Sequence, residues 1–200
     1  MREPGLRRET VVLSLLLSWS ACSAGPDSTF SAATEAVAVP GAPSLGVVSR
    51  SQVEQEHPEF LRSGPEVEPD LGVAAALRRV PPGARIEVIF GTWCGDSKRE
   101  LSRFWKALDV ATGPLPFEIH YVGVDRTKRE PAELLAGRDL RYVPTFVVYR
   151  GGAEVGRVVE SAPAGIEKEL LDLLTGVASG LRTGRGDLQP AATLRNQGRR

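Results

Sequence analysis

The most constraining feature of this sequence is an alternation of strand and helix patterns through its middle. Helical segments repeat apolar residues every three or four positions, whereas buried strands are short apolar runs. Helical patterns cover residues 71–80, 97–111, 131–136 and 166–177, and strand patterns cover residues 85–91, 117–124, 145–149 and 153–159. Along the chain the order is helix, strand, helix, strand, helix, strand, strand, helix. The order predicts an α/β sandwich in which helices flank a mixed central sheet of about four to five strands.

The flanks of this middle differ from it in composition. Residues 25–50 are small and almost uncharged, which predicts a flexible linker, and residues 51–65 are assigned to an N-terminal extension. Residues 179–200 are rich in Arg and poor in apolar side chains, which predicts a disordered basic tail. Arg185-Gly186-Asp187 lies in that tail, but so short a motif recurs by chance. The folded domain is therefore predicted to span residues 66–178.

The first 24 residues have the layout of an export signal. Arginines precede the apolar run 11–17, which is too short to cross a bilayer, and small residues follow it. Cys22 resembles the lipid-acceptor cysteine of a bacterial lipoprotein, and ordinary cleavage near Ala24 is the alternative. We expect an exported protein of the periplasm or cell envelope, with a possible membrane anchor through a lipidated Cys22. In either case the mature chain keeps one free thiol, Cys94.

The overall charge excludes one class of partner. The chain has 25 acidic and 25 basic residues, so it has no net field to attract a polyanion. We therefore expect no nucleic-acid binding.

Cys94 stands where a predicted strand turns directly into a predicted helix. Unsatisfied backbone N–H groups and the helix dipole stabilise an anion at such a position, which favours the thiolate. Lys98 and Arg99 add to this effect, whereas Asp96 opposes it. A buried, inert cysteine is the alternative, and the charged neighbours at an exposed turn argue against it. Cys94 is the predicted nucleophile.

Two motifs around this thiol resemble the thioredoxin superfamily. Trp93-Cys94-Gly95 follows a hydrophobic strand, and Tyr142-Val143-Pro144-Thr145 precedes the strand 145–149. This resemblance covers residues 66–178. Within it, the run Cys94-Gly95-Asp96-Ser97 is similar to that of exported bacterial thioredoxin-like proteins with a monothiol site. It implies a thioredoxin fold, a cis peptide before Pro144 and a substrate groove between the two motifs. The implied groove residues are Trp93, Gly95, Val143, Pro144 and Thr145.

The sequence departs from a two-cysteine thioredoxin at three positions. Ser97 replaces the second cysteine, Val88 replaces a buried carboxylate, and Tyr121 replaces the lysine that partners this carboxylate. All three changes affect the step that resolves a mixed disulfide, whereas the first nucleophilic attack needs only Cys94. Ser97 is a second candidate catalytic residue, because its hydroxyl is expected to hydrogen-bond the Cys94 sulfur.

These features predict a thiol–disulfide exchange protein that acts through a single cysteine. Its partners would be proteins or low-molecular-weight thiols and disulfides, and no cofactor is expected. No metal site is expected either, because His57 and His120 have no ligand spacing with Cys94. The alternative is a redox-inactive thioredoxin-fold module that binds an extended peptide or a partner protein.

Overall fold

The structure is a computed structural model that describes residues 41–62 and 68–188. The export signal with Cys22 lies outside these ranges. The strands are β1 (Gly46–Val48), β2 (Ala84–Phe90), β3 (Phe117–Gly123), β4 (Thr145–Arg150), β5 (Ala153–Val159) and β6 (Gly180–Thr183). The helices are α1 (Arg50–Glu56), α2 (Glu59–Arg62), α3 (Leu71–Leu77), α4 (Gly95–Val110), α5 (Ala132–Leu135) and α6 (Ile166–Thr175). No helix within the described ranges is both long and apolar enough to span a membrane.

The strands form one mixed sheet in the order β1-β3-β2-β4-β5-β6. β2 pairs in parallel with β3, and β5 pairs in parallel with β6. The other three pairings, β1 with β3, β2 with β4 and β4 with β5, are antiparallel. A mixed α/β architecture is confirmed, but the described part of the chain contains six strands rather than four to five, because a strand is added at each edge.

The helix ends follow from local capping. The Asp70 carboxylate accepts hydrogen bonds from the backbone N–H groups of Gly72 and Val73, which begins α3. Gly176 adopts a left-handed conformation with φ of 77°, which ends α6. α3 ends earlier than the pattern over residues 71–80 predicted.

The predicted N-terminal boundary of the domain is wrong. Residues assigned to a linker and an extension contain β1, α1 and α2, and Val48, Val53 and Phe60 from these segments are buried in the core. A Cβ on Gly123 in β3 would lie 2.1 Å from the Ser44 carbonyl oxygen, so glycine permits this close approach. These segments are too short to show a period of their own, and tertiary packing alone reveals them as core.

The predicted C-terminal boundary is also wrong. β6 lies in the region predicted as a disordered tail, and its residues Gly180–Thr183 pair with Gly156–Val159 of β5. A Cβ added to Gly156 would lie only 2.6 Å from the Gly180 carbonyl oxygen. Backbone pairing of this kind requires few apolar side chains, so composition did not indicate it.

The two faces of the sheet carry separate apolar clusters. The larger one, here called the first-face core, packs α1, α2, α3, α4 and α6 against Ile86, Val88 and Phe90 of β2. The smaller one, the second-face cluster, lies on the opposite face beside α5. It consists of Ile89, Val122, Val124, Leu135 and Val143, with Trp93, Cys94, Leu134 and Leu140 packed at its border.

Candidate functional site

Cys94 is the residue that caps the N-terminus of α4. It has extended backbone angles, its side chain is half-buried, and its carbonyl oxygen accepts the Lys98 N–H at 3.1 Å. Its own N–H donates to the carbonyl oxygen of Gly91 at 2.9 Å, which closes the turn from β2. The sulfur therefore lies at the positive end of a 16-residue helix, where the sequence had placed it.

The loop before β4 lies opposite this thiol. The Cys94 Sγ lies 3.4 Å from the Val143 carbonyl oxygen, and the geometry is that of an S–H donating to a carbonyl. The Val143–Pro144 peptide bond is cis, as the resemblance implied. The Thr145 hydroxyl donates to the Tyr142 carbonyl oxygen at 2.7 Å and closes the loop. The sulfur thus lies between the N-terminus of α4 and the Val143 carbonyl oxygen.

Ser97 does not make the predicted contact with the Cys94 sulfur. Its side chain is fully buried, and its hydroxyl oxygen accepts a hydrogen bond from the Gly91 N–H at 3.2 Å. Side chains in the first turn of a helix lean back toward its N-terminus, which here directs Ser97 to the end of β2. Ser97 therefore supports the turn that carries Cys94.

Trp93 forms a wall beside the thiol. Its Nε1–H donates to the Val124 carbonyl oxygen at 3.1 Å, and the Arg126 guanidinium lies 5.5 Å from the centre of its ring. A Cβ on Gly91 would approach the indole to 2.5 Å, so this glycine makes room for the ring. Apart from its chain neighbours and its own helix backbone, a Cβ on Gly95 would meet no atom of the described residues within 4 Å, so the space beside Gly95 is open.

The two positions that replace the charged pair of a two-cysteine thioredoxin lie side by side. Val88 and Tyr121 are register partners on β2 and β3, and both are buried. The Tyr121 hydroxyl oxygen accepts the Trp105 Nε1–H at 3.0 Å, and burial raises the pKa of Tyr121 to about 12. Neither residue can exchange a proton near neutral pH.

The other residues considered from the sequence lie away from the sulfur's contacts. His57 is buried beside Ser44, with its Nε2 at 3.1 Å from the serine hydroxyl, and His120 is exposed on β3. The Asp125 carboxylate accepts hydrogen bonds from the Thr127 hydroxyl and from the N–H groups of Thr127, Arg129 and Glu130, which lower its pKa. In residues 41–62 and 68–188, no group of three His, Cys, Asp or Glu side chains converges to hold a metal ion.

The structure adds side chains near the thiol that the sequence analysis did not select. Leu134 and Leu140 border the second-face cluster with Cys94, and Arg126 covers the outer face of Trp93. In the sequence, Arg126 was visible as a basic residue just after the predicted strand 117–124, in the run Gly123-Val124-Asp125-Arg126. Its contact with Trp93 depends on two loops that are distant in the chain.

Comparison with known proteins finds weak similarity. No protein-family profile matches the chain. A thioredoxin-like protein of Acanthamoeba polyphaga mimivirus is 24% identical over 99 residues, which are 50% of this chain and 69% of that relative. This weak similarity suggests a relationship to the thioredoxin-like superfamily.

Two solved structures are also similar to the chain. A protein of unknown function from Pseudomonas aeruginosa matches with a TM-score of 0.42 and 16% identity, over 64% of this chain and 81% of its own. An HIV epitope-scaffold matches with a TM-score of 0.44 and 17% identity, over 64% of this chain and 86% of its own.

Proposed function

We propose that the chain is a thioredoxin-type sandwich that exchanges thiols and disulfides through the single cysteine Cys94. The observation that carries the proposal is the position of the sulfur. It lies at the N-terminus of α4, faces the Val143–Pro144 loop, and has open space beside Gly95. Trp93, Val143, Pro144 and Thr145 would line the groove for the partner.

The reaction takes two exchanges. The Cys94 thiolate attacks one sulfur of a disulfide R–S–S–R′, a Cys94–S–S–R bond forms, and R′–S⁻ leaves and takes up a proton. An external thiol R″–SH, as its thiolate, then attacks the adduct and releases R–S–S–R″ and the Cys94 thiolate. The external thiol is a protein or a low-molecular-weight thiol, and no further oxidant is needed.

Ser97 explains why the second exchange would be intermolecular. In a two-cysteine enzyme the second thiol attacks the adduct within the same chain, where effective molarities reach about 10⁵ M or more. A hydroxyl does not displace a thiolate from sulfur, and the Ser97 hydroxyl is occupied by the Gly91 N–H. The adduct should therefore persist until an external thiol arrives.

The direct test is to react the mature chain with a disulfide-containing peptide at limiting external thiol. We expect one adduct per chain on non-reducing gels, very slow turnover, and release on addition of a thiol. Cys94→Ser should form no adduct. Ser97→Cys should shorten the adduct's lifetime, although Val88 and Tyr121 supply no proton relay and should keep turnover below that of a complete thioredoxin.

A second candidate function has one observation in its favour. The Cys94 S–H bonds the Val143 carbonyl oxygen, a contact that ionisation of the thiol would remove. This favours a redox-inactive module that binds an extended peptide along the same loop. Iodoacetamide alkylation discriminates between the two, because a Cys94 thiol that reacts no faster than a model thiol at neutral pH, with no peptide adduct, would favour the binding module. Rapid turnover by the wild type would also refute the monothiol mechanism.

We further propose that the chain is exported and anchored to a membrane by a lipid on Cys22. Support comes from the sequence of residues 1–24 alone. Mass spectrometry of the mature protein should find its N-terminus at a lipidated Cys22, and Cys22→Ala should block this processing. An unmodified N-terminus near Gly25 would exclude the anchor and leave export intact.

A further inference from the structure

The segment that follows β6 reaches back to the loop that faces Cys94. The Thr183 hydroxyl donates to the Val159 carbonyl oxygen at 2.9 Å, and the Gly184 N–H donates to the Ser161 carbonyl oxygen at 3.2 Å. The Arg185 N–H then donates to the Thr183 hydroxyl oxygen at 3.1 Å. These contacts direct the Arg185 side chain toward the start of β4.

Arg185 connects three side chains there. Its Nη1 lies 2.7 Å from the Glu160 carboxylate, and its guanidinium lies 4.0 Å from the centre of the Tyr142 ring. Its Nε donates to Asp187 at 2.9 Å, and the same carboxylate accepts the Tyr142 hydroxyl at 3.1 Å. Arg185, Asp187, Tyr142 and Glu160 therefore form a closed cluster, which we call the clasp.

The clasp holds both sides of the Val143–Pro144 loop. Tyr142 directly precedes Val143, whose carbonyl oxygen accepts the Cys94 S–H. Glu160 donates its backbone N–H to the Pro144 carbonyl oxygen at 2.8 Å. Glu160 also has φ of 63°, a conformation that residues other than glycine rarely adopt. Its backbone bond to Pro144 and its side-chain bond to Arg185 together hold it in that conformation.

We propose that Arg185 and Asp187 are positioning residues that fix Tyr142 and thereby set the Val143 carbonyl opposite the Cys94 sulfur. The proposal rests on the proposed function, because it concerns the wall of the groove in which Cys94 would meet a disulfide. It also assigns a role to Arg185-Gly186-Asp187. The Arg and Asp of this tripeptide bind each other and the chain's own Tyr142, which makes the motif an internal element.

The test compares Arg185→Ala and Asp187→Asn with Arg182→Ala. Arg182 is a matched control, since it lies on β6 but pairs with Glu169 of α6 at 2.5 Å, away from the loop. Three quantities are measured on folded protein well below its melting temperature. They are the exchange rate of the Glu160 amide hydrogen and the rate constants of Cys94 with iodoacetamide and with a disulfide-containing peptide.

We expect Arg185→Ala to speed exchange of the Glu160 amide and to lower the peptide-to-iodoacetamide rate ratio by about three- to fivefold. Asp187→Asn should act in the same direction, and Arg185→Lys should restore the ratio only in part, because an ammonium cannot reproduce the forked, stacked contacts. Arg182→Ala should change neither quantity.

Other outcomes overturn the clasp or the proposed function separately. A rate ratio in Arg185→Ala equal to that of Arg182→Ala would overturn the clasp as a positioning device, even if the melting temperature falls. A wild type that forms no peptide adduct would overturn the proposed function. In that case the clasp is tested by exchange of the Glu160 amide hydrogen and by the rate constant of Cys94 with iodoacetamide. If Arg185→Ala changes neither of these, the clasp is overturned too.

Discussion

The first-face core and the second-face cluster differ in both size and chemistry. Phe60, Phe90, Trp105 and Tyr121 form a continuous set of ring contacts in the first-face core, with centroids 5.7–6.5 Å apart. The second-face cluster is small and aliphatic, and the candidate thiol lies at its border. Extensive apolar burial provides stability, whereas a border position leaves the sulfur accessible. The large core and the candidate thiol thus lie on opposite faces of the sheet.

The largest effect on stability is expected from Phe60→Ala. The ring is fully buried between Phe90 and Trp105, so its removal should lower the free energy of unfolding by about 3–5 kcal/mol. Denaturant unfolding measures this loss. Leu61→Ala, at the exposed neighbouring position, should cost no more than about 0.5 kcal/mol. Equal small losses would mean that residues 50–62 do not belong to the core.

Leu135→Ala should have a smaller effect on stability and a larger one on the thiol. Leu135 is the buried residue of α5 in the second-face cluster, and its truncation should cost about 2 kcal/mol. Because Cys94 borders the same cluster, its alkylation by iodoacetamide should become faster under native conditions. Phe60→Ala, assayed where it is fully folded, should leave the alkylation rate unchanged. The reverse pattern would contradict the division between the faces.

Tyr121→Phe should cost about 1–2 kcal/mol, because the buried Trp105 Nε1–H loses its acceptor. Burial raises the pKa of Tyr121 from its ordinary value of 10.0 to about 12. Its contribution to stability should therefore be complete below pH 10 and decline as the pH rises toward 12. Unfolding curves of the wild type should show this decline, and those of the variant should lack it. Identical alkaline profiles would argue against a neutral, buried Tyr121.

The smallest effect is expected at Asp125, whose carboxylate is exposed. The Thr127 hydroxyl and the loop N–H groups that donate to this carboxylate lower its pKa below the ordinary value of 3.8. The stabilisation should be present above about pH 4 and be lost as the pH falls further. Asp125→Ala should remove this part of the acid dependence and speed exchange of the Glu130 amide hydrogen. Asp139→Ala, another exposed carboxylate, should do neither.

Much of the central architecture could be predicted from local pattern. The strand over residues 153–159 has the observed bounds, and those predicted over 117–124 and 145–149 each differ from β3 and β4 by one residue. A helix directly after Cys94 was also predicted, because a strand followed directly by a helical period is a local signal, although α4 begins at Gly95 rather than at residue 97. β1, α1, α2 and β6 were missed, since segments of three to seven residues are too short to show such a period.

The sequence by itself determined the order of the central elements, the single thiol at a helix N-terminus and the absence of a second cysteine at position 97. These properties depend on residues that are close together in the chain. Only the tertiary structure decided that Ser97 bonds Gly91, that Phe60 belongs to the core, and that Arg185 and Asp187 hold Tyr142. Each of the last two contacts joins segments that are distant along the chain, and the partner of Ser97 depends on how the turn between β2 and α4 closes. The sequence pattern shows which side chains are able to form a contact, whereas tertiary packing determines which partner each of them meets.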